Sequence, residues 1–247
     1  MRIAVAGGTG WLGKLVVTEA TEAGHDVVVI ARSRGVDLIT GRGLDEALAG
    51  VDVVIDVSNI ETVSGAKATG FFETVTRNLQ AAEARAGVKH HVLVSIIGID
   101  RVEWGYYTAK LNQEKVALAG PVPTTVLRAA QFHEFAQQSL TRFGGPVAVV
   151  PAMLSQPVAA REVAAELVRL AAAEPVAGLA PELAGPEPLQ MADLVRKVAR
   201  AHGPRKWVLS FPLPGEAGKA MKSGGALPQG PGLRGTQTFD QWLSELR

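Results

Sequence analysis

The chain predicts an α/β fold built on a doubly wound parallel sheet, and three observations carry that expectation. Short apolar segments alternate with amphipathic ones along residues 1–130. The apolar segments are nearly continuous, the pattern of strands buried on both faces. The first of them runs straight into a glycine-rich turn that opens a helix. Alternation of this kind closes into a parallel sheet through right-handed crossovers.

Taken in order, residues 1–6 read as the first strand, followed at once by Gly7-Gly8-Thr9-Gly10-Trp11-Leu12-Gly13 and an amphipathic stretch from Lys14. A second strand at residues 26–30 follows at βαβ distance. A short third strand is expected at residues 36–39 and a turn of helix at 44–49. The apolar run 51–57, broken only by Asp52 and Asp56, then reads as a fourth strand. Residues 70–86 read as a helix, 91–97 as a strand, 106–119 as a helix and 125–129 as a strand. Beyond these, 131–143 are expected to be helical, 147–150 extended, and 160–173 and 191–202 helical. Residues 214–235, rich in glycine and proline, read as irregular: a loop that closes over a crevice, or an ordinary connector. The expected organisation is a nucleotide-binding domain over residues 1–150. Residues 151–247, too short for an independent catalytic domain, are expected to fold back as a small C-terminal substrate lobe over the carboxyl edge of the sheet.

Composition narrows the function classes. The 247 residues include no cysteine, which excludes disulfides, thiolate metal sites and cysteine nucleophiles. A net charge of +1 with both signs interspersed gives no case for nucleic-acid or anionic-membrane partners. No apolar run reaches the roughly 20 residues of a membrane span. The expectation is a cytoplasmic monomer or homodimer acting on a small molecule, with no metal site.

The glycine turn has the chemistry of a dinucleotide phosphate cradle. Gly7 and Gly10 let the backbone turn tightly and approach a pyrophosphate, and Gly13 lets the following helix lie against the strand. The N-terminus of that helix, with Thr9, Trp11 and Leu12 around it, presents N–H groups to the anion. The second strand ends in Ala31-Arg32-Ser33-Arg34 where a site for NAD usually carries an acid. Two guanidinium groups and a hydroxyl suit a 2′-phosphate, so the expected cofactor is NADP(H). Val57 and Ser58, ending the next long strand, stand at the same sheet edge, facing a ribose. Asp56 before them either serves that site or simply satisfies the following loop. Tyr106 and Lys110 are four apart and share one helix face, where an ammonium near a phenol favours the phenolate. Ser95, near the end of its strand, is placed to hold a substrate oxygen. Phe132 and Phe135, three apart, either line a pocket or belong to the core.

Together with Ser95-Ile96-Ile97-Gly98-Ile99-Asp100, Tyr106-Tyr107-Thr108-Ala109-Lys110 and Leu127-Arg128-Ala129-Ala130-Gln131-Phe132, the glycine turn and Arg32 resemble the NmrA-like, atypical branch of the short-chain dehydrogenase/reductase superfamily. The resemblance continues through Gln156-Pro157-Val158, Arg161-Glu162-Val163-Ala164, Leu183-Ala184-Gly185-Pro186 and Thr238-Phe239-Asp240-Gln241-Trp242-Leu243. It implies a Rossmann sheet, NADP(H) in the sheet-edge crevice, and hydride transfer assisted by Ser95, Tyr106 and Lys110. In that scheme Ser95 orients a carbonyl, Tyr106 exchanges the proton, and Lys110 holds the nicotinamide ribose while biasing the phenol. Tyr107, Gln131 and Phe132 would line the substrate pocket, and Tyr107 competes with Tyr106 for the acid's place. Three functions are thereby open. They are an NADP(H)-dependent oxidoreductase for a carbonyl, quinone or conjugated substrate, a dinucleotide-binding regulator without turnover, and a sugar-nucleotide epimerase or dehydratase. The last is disfavoured because the tail shows no cluster of cations for a diphosphate.

Overall fold

The computed structural model describes residues 1–141, 145–203 and 206–246. β1 (Arg2–Ala6) leads through the glycine turn into α1 (Trp11–Glu22) and then β2 (Asp26–Ile30). A 3-10 turn (Arg32–Arg34) and the short α2 (Leu44–Leu48) precede β3 (Val53–Asp56). α3 (Gly65–Ala86), β4 (His90–Ile96), α4 (Gly105–Leu118) and β5 (Thr124–Ala129) complete the alternation. There follow α5 (Phe135–Thr141), β6 (Val147–Pro151), β7 (Leu154–Ser155), α6 (Ala160–Ala171), β8 (Gly178–Leu179) and β9 (Leu183–Ala184). The chain closes with β10 (Leu189–Gln190), α7 (Met191–Ala201), β11 (Trp207–Phe211), α8 (Gly215–Lys222), β12 (Leu233–Arg234) and α9 (Phe239–Glu245).

The elements gather into two compact units that interleave along the sequence. The first comprises Met1–Ser95, Gly105–Arg128 and Val163–Ala180, and the second Ile96–Trp104, Ala129–Glu162 and Pro181–Arg247. Residue 150 lies within β6, in the second unit. The first unit holds the sheet, with strand order β2-β1-β3-β4-β5 and β8 beside β5. β1 runs parallel to β2 and β3, β3 parallel to β4, and β5 parallel to β8. β3 is buried along its whole length, as its largely apolar run requires, with Asp56 buried at its end. The strand order reverses direction between β1 and β3, and in open α/β sheets ligands bind beyond the carboxyl ends of the strands at such a switch point.

Four local expectations differ from the structure. No strand forms at residues 36–39. Asp37 Oδ1 instead accepts from the Ile39 and Thr40 amides at 2.8 and 3.3 Å, closing a turn. Gly35, Gly41 and Gly43 around it all have positive φ, of 82°, 76° and 79°, which breaks any extended run. The segment 214–235 is not irregular throughout: it contains α8 and β12. α3 begins at Gly65, five residues before the expected start, capped by Ser64 Oγ accepting from the Lys67 amide. A Cβ on Gly65 would lie 3.0 Å from Gly105 Cα, so α3 and α4 approach closely at this point. The expected helix 131–143 starts only at Phe135, and Phe143 lies outside the described residues.

A buried ion pair sits behind the sheet of the first unit. Glu83 of α3 holds His91 Nδ1 of β4 at 2.8 Å, with both side chains fully buried. Burial pushes that imidazole pKa down, but the adjacent carboxylate outweighs it and the net shift is upward. In the second unit, β6 pairs in parallel with β11, and β9 with β12, while β7 and β10 are antiparallel. α9 is anchored there by a capping box between Thr238 and Gln241, and by Trp242 Nε1 donating to Glu134 at 3.2 Å.

Candidate functional site

The glycine turn connects β1 to α1 beside the end of β3, in the first unit. Gly7 adopts φ +80°, and a Cβ on it would meet Ser58 Cα, Ser58 N and Val57 O at 3.0, 3.1 and 3.1 Å. The first glycine therefore lies directly against the strand end that carries Val57 and Ser58. A Cβ on Gly13 would fall 2.1 Å from the Gly7 carbonyl oxygen, so only glycine lets α1 pack onto the turn. Gly10 is the N-cap of α1 and offers no side chain to cap the first helical turn. Backbone amides are thus left to serve an anion at the positive end of a 12-residue helix. Thr9 and Trp11 are exposed at the turn, and Leu12 is partly buried.

Arg32, Ser33 and Arg34 form the exposed 3-10 turn directly after β2, on the edge strand next to β1. Neither arginine is engaged by a carboxylate among the described residues. Val57 and Ser58 are buried, and Ser58 Oγ has no hydrogen-bond partner. Ser95 on β4 is also buried with its Oγ unpartnered. Unsatisfied buried hydroxyls are costly unless a ligand or water meets them; Ser95 stands on β4 and Ser58 in the loop just after β3, both in the unit that carries the cradle. A pyrophosphate-bearing dinucleotide fits this donor set: a glycine-rich turn, an uncapped helix start and free cations after β2.

The tyrosine and lysine are arranged otherwise than expected. Tyr106, half-buried, donates its hydroxyl to Asn59 Oδ1 at 2.6 Å. Its ring meets Phe72 edge-on at 5.7 Å between centroids. Lys110 contacts the same phenylalanine: its Nζ is 4.8 Å from the Phe72 ring centre and donates to the Val94 carbonyl at 2.9 Å and to Gln113 Oε1 at 2.5 Å. The ammonium therefore does not lower the phenol's pKa. Burial, with Tyr107 adding to it, pushes Tyr106 up to about 12. Burial likewise pushes Lys110 down to about 8, against the pull of Asp56 and Glu114. Tyr107 is buried beside it in α4. Gln131 and Phe132 belong to the second unit, where Phe132 bridges to Val158 and the Val158 amide donates to the Gln131 carbonyl.

Sequence reasoning missed three participants. Gln113 had a signal, since it is three residues from Lys110 on the same helix face. Asn59 and Phe72 had none, because their contacts to Tyr106 span distant segments. Among the described residues no group of three or more His, Asp or Glu could hold a metal ion, and no helix is long and apolar enough to cross a membrane.

Known proteins share the fold of this chain. The photosystem II assembly factor Ycf39 of Synechocystis sp. is 32% identical over 111 residues, covering 39% of this chain and 34% of that protein, so the match spans about a third of its length. Among solved structures, the NADPH-dependent quinone oxidoreductase QOR2 of Escherichia coli complexed with NADPH superposes with a TM-score of 0.73 at 21% identity, covering 98% of each chain. A UDP-N-acetylglucosamine 4-epimerase from Bacillus cereus gives 0.72 at 19% identity over 99% of this chain and 94% of that one. The Citrobacter sp. triphenylmethane reductase complexed with NADP(H) gives 0.65 at 21% identity over 93% and 85%. At such identities the structural likenesses establish the Rossmann-type fold. The family description NAD(P)H-binding matches residues 7–174, from the first glycine of the cradle to beyond α6. With about two thirds of its length matched, the chain belongs to the NAD(P)H-binding family of Rossmann-fold proteins.

Proposed function

We propose that the protein is an NADP(H)-dependent oxidoreductase that reduces a quinone, a conjugated carbonyl or a similar small acceptor. The observation that carries this reading is the glycine-rich cradle at the β1/β3 switch point, with two unengaged arginines in the turn after the adjacent β2. When bound, the dinucleotide supplies a hydride. Gly7, Gly10 and Gly13 admit the pyrophosphate to the backbone, while Arg32, Ser33 and Arg34 hold the 2′-phosphate that separates NADP from NAD. Ser58, with its unpartnered hydroxyl, and Val57 line the ribose, and Ser95 directs its free hydroxyl to the acceptor oxygen.

Tyr106 is the proton donor in this reading. Its raised pKa keeps the phenol protonated at neutral pH, so it can give a proton and cannot act as a phenolate base. The hydroxyl waits on Asn59 Oδ1 and turns from it to the substrate oxygen. Acceptors that delocalise the charge left by hydride addition ask least of so weak an acid, which is why quinones and conjugated carbonyls are preferred to simple ketones. The quinone oxidoreductase and triphenylmethane reductase neighbours support this choice.

A second reading, NADP(H) binding without turnover, is favoured by the inward engagement of Lys110. A screen of NADPH oxidation over quinones, enones and ketones, repeated with Tyr106→Phe, decides between them. Turnover that falls by roughly 10²–10⁴ in the variant, with NADPH affinity unchanged, is expected for a lost general acid. Tight NADPH binding with no oxidation by any acceptor would establish the second reading instead.

A further inference from the structure

Lys110 shares a helix face with Tyr106, yet its ammonium is built into the interior of the first unit. It gives one hydrogen bond to the Val94 carbonyl, one to Gln113 Oε1, and faces the Phe72 ring. Gln113 Nε2 continues the chain, donating to Asp56 Oδ2 and Thr76 Oγ1, each at 3.2 Å. Asp56 Oδ1 accepts from the Ser58 amide at 2.8 Å. All four side chains in this run are buried. Its far end is the backbone of Val57 and Ser58, against which Gly7 lies with no space for a Cβ.

The orientation of each group is dictated by its neighbours. The glutamine must turn its oxygen to the ammonium and its nitrogen to the carboxylate, and no other arrangement satisfies both ends. The lysine has three donors, two committed to oxygens and the third facing an aromatic ring, where a buried cation is also stabilised. None is left for a ribose. Removing one member of such a run strands a buried charge, and the nearest relief is movement of the β3 end.

We propose that Lys110, Gln113 and Asp56 are positioning residues, a buried brace from α4 that fixes Val57 and Ser58 and through them the glycine turn. Lys110 then serves dinucleotide binding without touching the dinucleotide. The proposal rests on the reading of residues 7–13 as the phosphate cradle.

The test uses two probes titrated calorimetrically into the full chain: NADPH, and 2′,5′-ADP, which lacks the nicotinamide ribose. Under the brace, Lys110→Met and Gln113→Leu each weaken both probes by about tenfold or more, and by similar factors. If Lys110 instead holds the ribose, Lys110→Met weakens NADPH alone and Gln113→Leu is silent, which overturns the proposal. A charge relocation covers the case where Gln113→Leu fails to fold. Gln113→Glu sets two carboxylates face to face and weakens 2′,5′-ADP. The double variant Asp56→Asn/Gln113→Glu restores every hydrogen bond with the negative charge moved one residue along, and restores 2′,5′-ADP affinity. A double variant no better than Gln113→Glu contradicts the brace. Native protein that binds neither probe removes the cradle itself, and the brace with it.

Discussion

Gly13→Ala is the sharpest small change available at the cradle. The added Cβ would lie 2.1 Å from the Gly7 oxygen, 2.7 Å from Gly8 Cα and 2.8 Å from the Gly7 carbonyl carbon. All three are backbone atoms, so no side chain can swing aside, and carbon contacts are comfortable only from about 3.5 Å. The turn and the start of α1 must therefore part by roughly 1 Å. Overpacking of this kind costs about 1–3 kcal/mol. Removing a glycine from a helix returns about 0.5–1 kcal/mol. The net loss, up to about 2.5 kcal/mol, lowers Tm by up to roughly 10 °C for a chain of this size. Cofactor affinity should fall further than stability, because the displaced amides lose charge-assisted hydrogen bonds of about 1.5–3 kcal/mol each. Each 1.4 kcal/mol is about tenfold in Kd, so calorimetry with NADPH should show a weakening of at least about tenfold. Gly70→Ala in α3 is the control: its Cβ would meet nothing within 4 Å, so it should stabilise slightly and leave affinity untouched. Gly13→Ala protein that binds NADPH as tightly as the native chain would refute the placement of the phosphate on this turn.

Two further outcomes follow from the structure. Arg32→Asp replaces a free cation after β2 with the acid that favours adenosine ribose hydroxyls. It should reverse a preference for NADPH into one for NADH, read as the ratio of the two Kd values. The Glu83–His91 pair makes stability pH-dependent. Because the folded imidazole pKa is raised above 6.5, the pair's stabilisation is complete below about pH 6.5 and is lost as pH rises through the folded value. Glu83→Gln should destabilise the protein by about 1–3 kcal/mol on the acid side and flatten this loss. Unfolding curves at about pH 6 and about pH 9 that show the same slope for native and variant would contradict the assignment.

Much of the sheet was legible because strands buried on both faces leave largely apolar runs, as at β3. The cradle was legible because a strand, three spaced glycines and a helix stand consecutively. Residues 36–39 misled because Val36 and Leu38 are apolar while the deciding factors are local: the Asp37 turn and three glycines at positive φ. α9 had a readable signal in Thr238 and Gln241, the two ends of a capping box, which composition-level reading of the tail passed over. The relation of Tyr106 to Lys110 was not legible at all. Four-residue spacing puts both on one face, but each contacts Phe72, brought in from α3, and their polar ends bond elsewhere, Tyr106 to Asn59 and Lys110 to Val94 and Gln113. Asp56, left open as site residue or loop support, supports the loop after β3 through the Ser58 amide.

The central claim is that the cradle and the arginines after β2 form an NADP(H) site. Parallel calorimetric titrations of the native chain with NADPH and NADH test it most directly. NADPH should bind at least about tenfold more tightly, about 1.4 kcal/mol, with the advantage shrinking as salt screens the 2′-phosphate contacts. Equal affinities, or an NADH preference, would contradict it.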